Sequence, residues 1–259
     1  MAFLPEPEAA AIASHKMHQS SGLGLVVDIG GGTSDYSVFE TSGDRARIIA
    51  SHGIRLGGTD FDHAVSMAHA MPELGHGSSL RREMGAGLLP VPNGVYVELS
   101  TWAKIPFLYT PESLRMAKGM ARVAVERDKI DRLVTVLEEE LGHELAFAVE
   151  RGKIAANGGR AAQIAMQFVE KGLSAPITPE SLDASLQNYR RELHEAAAET
   201  LKLAGVSPDD IGTVVLVGGS SLMDLVAAES QALCPGASLM RSEAFTAVVD
   251  GLALATVQS

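Results

Sequence analysis

The sequence has a single cysteine, Cys234, so no internal disulfide can form, and no metal-ligand spacing surrounds it. A small buried apolar residue is expected there rather than a catalytic thiol. No lysine- or arginine-rich run offsets the net charge of −11, so a nucleic-acid backbone would be repelled. The opening Met1-Ala-Phe-Leu-Pro-Glu-Pro-Glu8 lacks the basic segment and apolar core of a secretory leader. No uninterrupted apolar run approaches the roughly eighteen residues that mark a membrane helix. These absences lead us to expect a soluble cytoplasmic protein with neither a nucleic-acid nor a membrane partner.

What is present is ordinary in bulk. The chain has 259 residues, 46% hydrophobic and 20% charged, enough for one large core, or one core carrying an inserted subdomain. An acidic average does not exclude nucleotides, because phosphates are held locally by backbone N–H groups and metal ions.

Along the chain, 5–18 reads as a helix, with Pro5 and Pro7 ahead of an alanine-rich run. The apolar run Gly22–Asp28 reads as a buried strand, broken by Gly30, Gly31 and Gly32. Strands are expected at 36–40 and 44–51, and a helix at 59–71 capped by Thr59 or Asp60. Residues 72–97 are rich in Gly and Pro and have no period of their own. Helices are expected near 99–105, 111–126 and 129–156, the last with Leu133, Leu137, Leu141, Leu145 and Val149 along one face. Alternation over 162–168 favours a strand. Thr178-Pro-Glu-Ser181 opens a long helix to about Ala204, followed by strand 213–217, helix 221–233, strand 237–240 and helix 245–257. Hairpin-linked strands come first, so the expected fold is an α/β, ribonuclease-H-like layer rather than a purely parallel sheet. A mostly helical subdomain is inserted into it. The expected division is 1–72 with 173–259 for the layer, and 73–172 for the insertion.

The octet Asp28-Ile-Gly-Gly-Gly-Thr-Ser-Asp35 carries the most information. Three glycines between two strands remove every Cβ from a tight turn, so backbone N–H groups can close around phosphate oxygens. The carboxylates at each end can hold a hydrated divalent cation or orient a water, and Thr33 adds a hydroxyl. A plain hairpin turn is the alternative for the glycines alone.

This octet resembles the second phosphate motif of the actin/hexokinase/DnaK superfamily, in its DnaK-type heat-shock chaperone form. Glu6-Pro-Glu-Ala-Ala-Ala resembles that family's connecting helix, and Leu56-Gly-Gly-Thr-Asp-Phe-Asp62 a signature that closes under the phosphates. Glu150-Arg-Gly-Lys153 resembles the helix whose acid and lysine reach the ribose hydroxyls. Val215-Leu-Val-Gly-Gly-Ser-Ser221 resembles the adenosine motif. Taken singly, Glu6 could be a first-turn carboxylate, Glu150 and Lys153 an exposed pair, and Gly218-Gly219 a plain strand-to-helix turn. All the motifs occur in family order.

The resemblance implies an ATP/ADP- and Mg²⁺-binding lobe of an actin-like ATPase. In it Asp28 helps hold the metal, Gly30–Gly32, Thr33 and Gly58 surround the phosphates, and Glu6 and Asp35 orient water and metal. Glu150 and Lys153 serve the ribose, and Gly218, Gly219, Ser220 and Leu222 the nucleoside. The chain departs from the pattern at Leu222 and Ile154, where the family has arginines that sandwich the adenine; this removes a cation–π term of about 1 kcal/mol each.

The family's amino-terminal lobe, with its own phosphate loop, is expected to be missing, making the lone lobe catalytically inactive and that lobe a natural partner. Co-chaperones or clients are further partners the resemblance implies. The insertion, with Tyr96-Val-Glu-Leu-Ser-Thr-Trp102 and Leu141-Gly-His-Glu-Leu145, looks like that of the YegD-like branch. Trp102 is expected to anchor the core, and His143 to lie on a helix surface. A degenerate, non-hydrolysing scaffold module of the same fold is the rival expectation. A sugar or acetate kinase fits less well, because Leu-Gly-Gly-Thr-Asp-Phe-Asp is chaperone-like.

Overall fold

The computed structural model describes residues 22–42, 45–82 and 84–241. The expected helices at 5–18, with Glu6, and at 245–257 lie outside the described residues.

The chain begins with strands β1 (Gly22–Ile29), β2 (Ser34–Ser42) and β3 (Arg45–Ile54). Helix α1 (Gly58–Val65) continues through a π-helical turn, Ser66–Ala70, into the short α2 (Met71–Glu73). Next come β4 (Ser79–Arg81), β5 (Leu88–Pro90), α3 (Gly94–Leu99) and a 3-10 segment, Trp102–Leu108. Helices α4 (Pro111–Val123), α5 (Arg127–Glu138) and α6 (Gly142–Asn157) precede the hairpin β6 (Ala162–Ala165) and β7 (Ser174–Ile177). The long α7 (Pro179–Ala204), β8 (Ile211–Val217), a 3-10 turn Gly219–Leu222, α8 (Asp224–Leu233) and β9 (Ser238–Arg241) follow. Two compact units result, Met1–Gly58 with Gln187–Ser259, and Thr59–Leu186.

The first unit is built on one mixed five-stranded sheet, ordered β3-β2-β1-β8-β9. Strands β1 to β3 form an antiparallel meander, whereas β8 runs parallel to β1 and β9 parallel to β8. The central β1 is apolar on both faces because neighbours cover both: Leu25, Val26, Val27 and Ile29 are all buried. On one side Val26, Phe39, Val215 and Val217 form a cluster that Ala46 and Ile48 complete. Gly24 lies opposite Phe39, and the phenyl ring occupies the space a Cβ would need. Helix α7 opens as expected, since Thr178 Oγ1 accepts from Ser181 N (3.2 Å) while Thr178 N donates to Ser181 Oγ (2.9 Å).

The second unit departs from the sequence reading in four places, the first being the helix expected near 99–105, where α3 ends at Leu99 and a 3-10 segment starts at Trp102. The helix expected over 129–156 is two helices, Arg127–Glu138 and Gly142–Asn157, broken where Glu140 takes a positive φ of 55°. The Tyr109 hydroxyl fastens the break: it donates to Glu140 O and accepts from Gly142 N, both at 3.0 Å. A Cβ on Gly142 would sit 2.6 Å from Ile105 Cγ2, so glycine is required for that approach. The expected stripe survives across both helices, with Leu133, Leu137, Leu145 and Val149 buried.

The Gly/Pro-rich stretch 72–97, read as without a period, holds the β4–β5 hairpin and α3. Three-residue strands carry too little alternation to be read. Trp102 is not a core anchor. It is 53% exposed, because the 3-10 segment that begins with it buries Ile105 and Leu108 instead.

Candidate phosphate site

Four residues, Gly30–Thr33, separate Ile29 from Ser34, and Gly30 N closes the turn by donating to Thr33 O at 3.0 Å. The second glycine loop is bonded to this one. Gly58 N donates to Gly30 O at 3.0 Å, and the fully buried Ser34 donates from Oγ to Leu56 O at 2.7 Å.

Gly57 lies flat against the hairpin tip. A Cβ there would stand 2.6 Å from Gly32 N, 2.7 Å from Gly31 C and 2.8 Å from Gly30 O, all of them backbone atoms. No side chain fits in that space. Gly31 and Gly32, by contrast, are exposed, and among the described residues a Cβ on either would meet nothing within 4 Å.

The third loop follows β8, whose Val217 is the register partner of Asp28. Gly218 has φ +84°, and a Cβ on it would lie 2.5 Å from Ile29 O and 2.7 Å from Asp28 Oδ1. A Cβ on Gly58 would run into Ser220 Oγ, so the second and third loops also touch. Ser221, fully buried, donates from Oγ to Gly218 O at 2.6 Å and sets the 3-10 turn. Gly219 is open, and Leu222 is 43% exposed. Three stretches distant in sequence thus converge beyond the carboxyl ends of the parallel pair β1 and β8, where α/β sheets place their ligands.

Asp28 and Asp35 are direct register partners on β1 and β2, so their side chains leave the same face of the sheet. They lean apart. Asp28 Oδ1 lies against Gly218 on the β8 side, and Asp35 Oδ1 lies where a Cβ on Gly53 of β3 would be, 2.5 Å away. Two like charges opposite each other are unfavourable unless a cation lies near. Among the described residues no three His, Cys, Asp or Glu gather as a metal cage. A carboxylate pair beside a bare backbone cradle suits Mg²⁺, which keeps several waters and shares phosphate oxygens with its ligand. The cradle's open Gly31–Gly32 surface and Thr33 leave room for phosphate oxygens, so the residues present fit a Mg²⁺–nucleotide phosphate group.

The profile described as Hsp70 protein matches residues 2–157, more than half of the 259. The chain belongs to the Hsp70 family. Hsp70 proteins bind ATP or ADP with Mg²⁺. The chain is 27% identical over 224 residues to "Chaperone protein HscA" of Pectobacterium carotovorum subsp. carotovorum (strain PC1), covering 86% of this chain and 26% of that protein. It is 29% identical over 224 residues to the HscA homolog of Burkholderia multivorans (86% and 27% covered), and 25% identical over 219 residues to that of Pseudomonas fluorescens (84% and 25%). The chain therefore spans about a quarter of the length of the curated relatives it matches.

The remaining residues of the Hsp70-like pattern stand in the second unit. Glu150 and Ile154 are exposed on α6, Ile154 by 59%. Lys153 is buried at 5% exposure, and its Nζ is 2.8 Å from Asp62 Oδ1. Burial pushes the Asp62 carboxyl above its ordinary range; Lys153 opposes that rise, and the Glu150 charge adds to it. Sequence reasoning quoted Asp62 inside a motif without giving it this partner, and it passed over Ser34 and Ser221. The serines give no sequence signal, whereas a carboxylate on one helix and a lysine on another suggest a pair only once packing is known.

Cys234 is buried, as expected, and burial moves its thiol up to about 11. His143 stands in the first turn of α6 with its ring 5.1 Å from that of Trp102. No helix among the described residues is long and apolar enough to cross a membrane.

Proposed function

We propose that the chain is an ATP/ADP-binding lobe of a DnaK-type chaperone ATPase, the carboxyl-terminal lobe of its nucleotide-binding domain, in a YegD-like branch. The observation that carries this is the mutual packing of the three glycine loops, Gly30–Thr33, Gly57–Gly58 and Gly218–Ser220, around an open backbone surface at the end of β1 and β8. The strand order, an antiparallel meander extended by parallel strands, supports a ribonuclease-H-like layer. Residues 1–72 and 173–259 are proposed for that layer and 73–172 for the inserted subdomain, a division that differs from the compact units by placing 59–72 and 173–186 with the layer. The "Chaperone protein" name of the HscA relatives supports client or co-chaperone partners.

In this reading the bare backbone of Gly30–Gly32 and the Thr33 hydroxyl cradle the β- and γ-phosphates, while the Gly30 N–H stays with Thr33 O. Asp28 holds metal-bound water, and Asp35, with Glu6, orients the attacking water. Bound Mg²⁺ would neutralise charge on the phosphates. Positioning and charge neutralisation are what phosphoryl transfer requires of a protein. Glu150 accepts from a ribose hydroxyl, Gly219 and Ser220 let the nucleoside approach the backbone, and Leu222 offers the base an apolar surface. Lys153 is assigned to the ribose as well, and in the structure its Nζ is paired with Asp62 Oδ1 at 2.8 Å.

One observation favours a second reading. Leu222 and Ile154 are exposed apolar residues where the family carries base-stacking arginines, as a module that had lost nucleotide dependence would show. Titration of the chain with Mg-ADP by nuclear magnetic resonance decides between them. Shifts at Gly30–Thr33 and Gly218–Ser220 are expected, with a dissociation constant of roughly tens of micromolar to millimolar. Absence of those shifts at millimolar ADP sinks the nucleotide reading in favour of the scaffold. Leu222→Arg is expected to tighten ADP binding about three- to tenfold through the restored cation–π contact.

A further inference from the structure

The unit Thr59–Leu186 contains a cavity of about 250 Å³ that the phosphate chemistry does not use. It is close to the lower end of the size range of small-molecule sites, roughly 300–1,000 Å³. Leu99, Ala146 and Val149 give it apolar walls, and Ser66 and Ser100 also line it, the Ser100 hydroxyl bonded to His63 Nδ1 (2.8 Å) and Val97 O (3.1 Å). Ser66 belongs to the π-helical turn after α1, a local widening of the helix often found at functional sites.

Two aromatic rings line the same cavity while remaining half exposed, Trp102 at 53% and Phe147 at 49%. The Trp102 ring is set by its edge contact with His143, at 5.1 Å and 63°. Large apolar side chains left open beside a concave apolar wall mark a binding surface rather than ordinary exposure.

Among the residues that line this space Asp62 and Glu150 are acidic and none is a lysine or arginine; the buried Lys153 pairs with Asp62, which leaves Glu150 as the acidic group facing a ligand. An anion is repelled there, and a neutral ligand gains only apolar contact. A cation gains from Glu150 and from lying over either of the two half-exposed rings. We propose that this cavity binds an organic cation with an apolar body, of the arylalkylammonium or guanidinium class. This goes beyond the nucleotide reading, with which it shares Glu150 (there a ribose acceptor), and uses only residues of the Thr59–Leu186 unit.

Trp102 is the only tryptophan in the sequence, so its fluorescence reports on the cavity without a label. The test is a nucleotide-free titration with 2-phenylethylammonium and, separately, with its neutral isostere 2-phenylethanol. The ammonium is expected to give a saturable change and to bind about tenfold more tightly than the alcohol. Glu150→Gln should weaken the ammonium about three- to tenfold and leave the alcohol unchanged. Phe147→Ala should weaken both. Both substitutions are at exposed positions, so the fold is expected to persist. A short arginine-containing peptide that outcompetes the free amine assigns the cation to a polypeptide side chain; the reverse order assigns it to a free metabolite. Equal affinity for ammonium and alcohol overturns the proposal. So does the lack of a saturable response at millimolar probe, or a response that both substitutions leave unchanged. Because no nucleotide is present, these results are independent of the ADP titration.

Discussion

Lys153 on α6 and Asp62 on α1 form a 2.8 Å ion pair in which the lysine side chain is 6% exposed and the aspartate side chain 26%. Removing the carboxylate would leave an ammonium in a nearly dry site. Asp62→Leu alone is therefore expected to cost about 2–4 kcal/mol, less than for a fully buried pair because water reaches the aspartate. The double variant Asp62→Leu/Lys153→Met should recover most of that loss. Urea unfolding of the four proteins in this cycle checks it, and additive losses would show that the two residues are not coupled.

The same pair has a pH signature. The Asp62 carboxyl is raised above its ordinary 3.8 in the folded protein, chiefly by burial. Ionising it costs more in the folded chain than in the unfolded one. Its contribution is fully favourable below the unfolded value, and it declines as pH rises through the ordinary carboxylate range toward the folded value. Wild type should therefore lose stability relative to the double variant as pH rises through that window. Unfolding midpoints collected from acid to neutral pH provide the measurement.

Gly57 and Gly31 should respond oppositely to alanine. Gly57→Ala places a methyl group 2.6–2.8 Å from backbone atoms that cannot swing aside, and should destabilise by about 1–3 kcal/mol or more. Gly31→Ala meets nothing within 4 Å among the described residues and should leave stability within about 0.5 kcal/mol. If phosphate lies on that open surface, Gly31→Ala should nevertheless weaken Mg-ADP binding. Thermal melts paired with calorimetric titration separate the two effects. Stability equally reduced in both variants would refute the loop packing.

The adenosine loop offers a parallel contrast. Gly218→Ala forces a side chain into φ +84° against Ile29 O and should be strongly destabilising. Gly219→Val points into open space, so the fold should persist while nucleoside approach is blocked. An ADP affinity unchanged in a folded Gly219→Val protein would remove Gly219 from the site.

Cys234, with its thiol moved up to about 11 by burial, should be almost wholly protonated at pH 8 and label slowly with a thiol reagent. Denaturant should restore ordinary labelling. Rapid reaction of the native protein would mean that the carboxyl end of α8 opens readily.

Much of this was legible in the chain because its signals are local. Apolar runs set β1 and β8, Thr178 and Ser181 set the start of α7, and the spaced glycines mark turns where only backbone can lie. Other features depend on partners far away in sequence. The break at Glu140–Gly142 exists because the Tyr109 hydroxyl, 31 residues from Glu140, binds both sides of it. Trp102 looks like a core residue by composition, yet Ile105 and Leu108 take the buried side of that segment. A sequence can mark Gly57 as a turn, but it cannot show that the turn lies on Gly30–Gly32. Nor can it reveal that Lys153, spaced to reach a ligand, has a carboxylate 91 positions earlier as its neighbour. The sequence by itself determined which stretches can be strand, helix or bare backbone, because those preferences reside in each residue and its near neighbours. The tertiary structure decided which of them meet, because the close approaches that build the cradle and the ion pair arise only when distant segments share one packed interior.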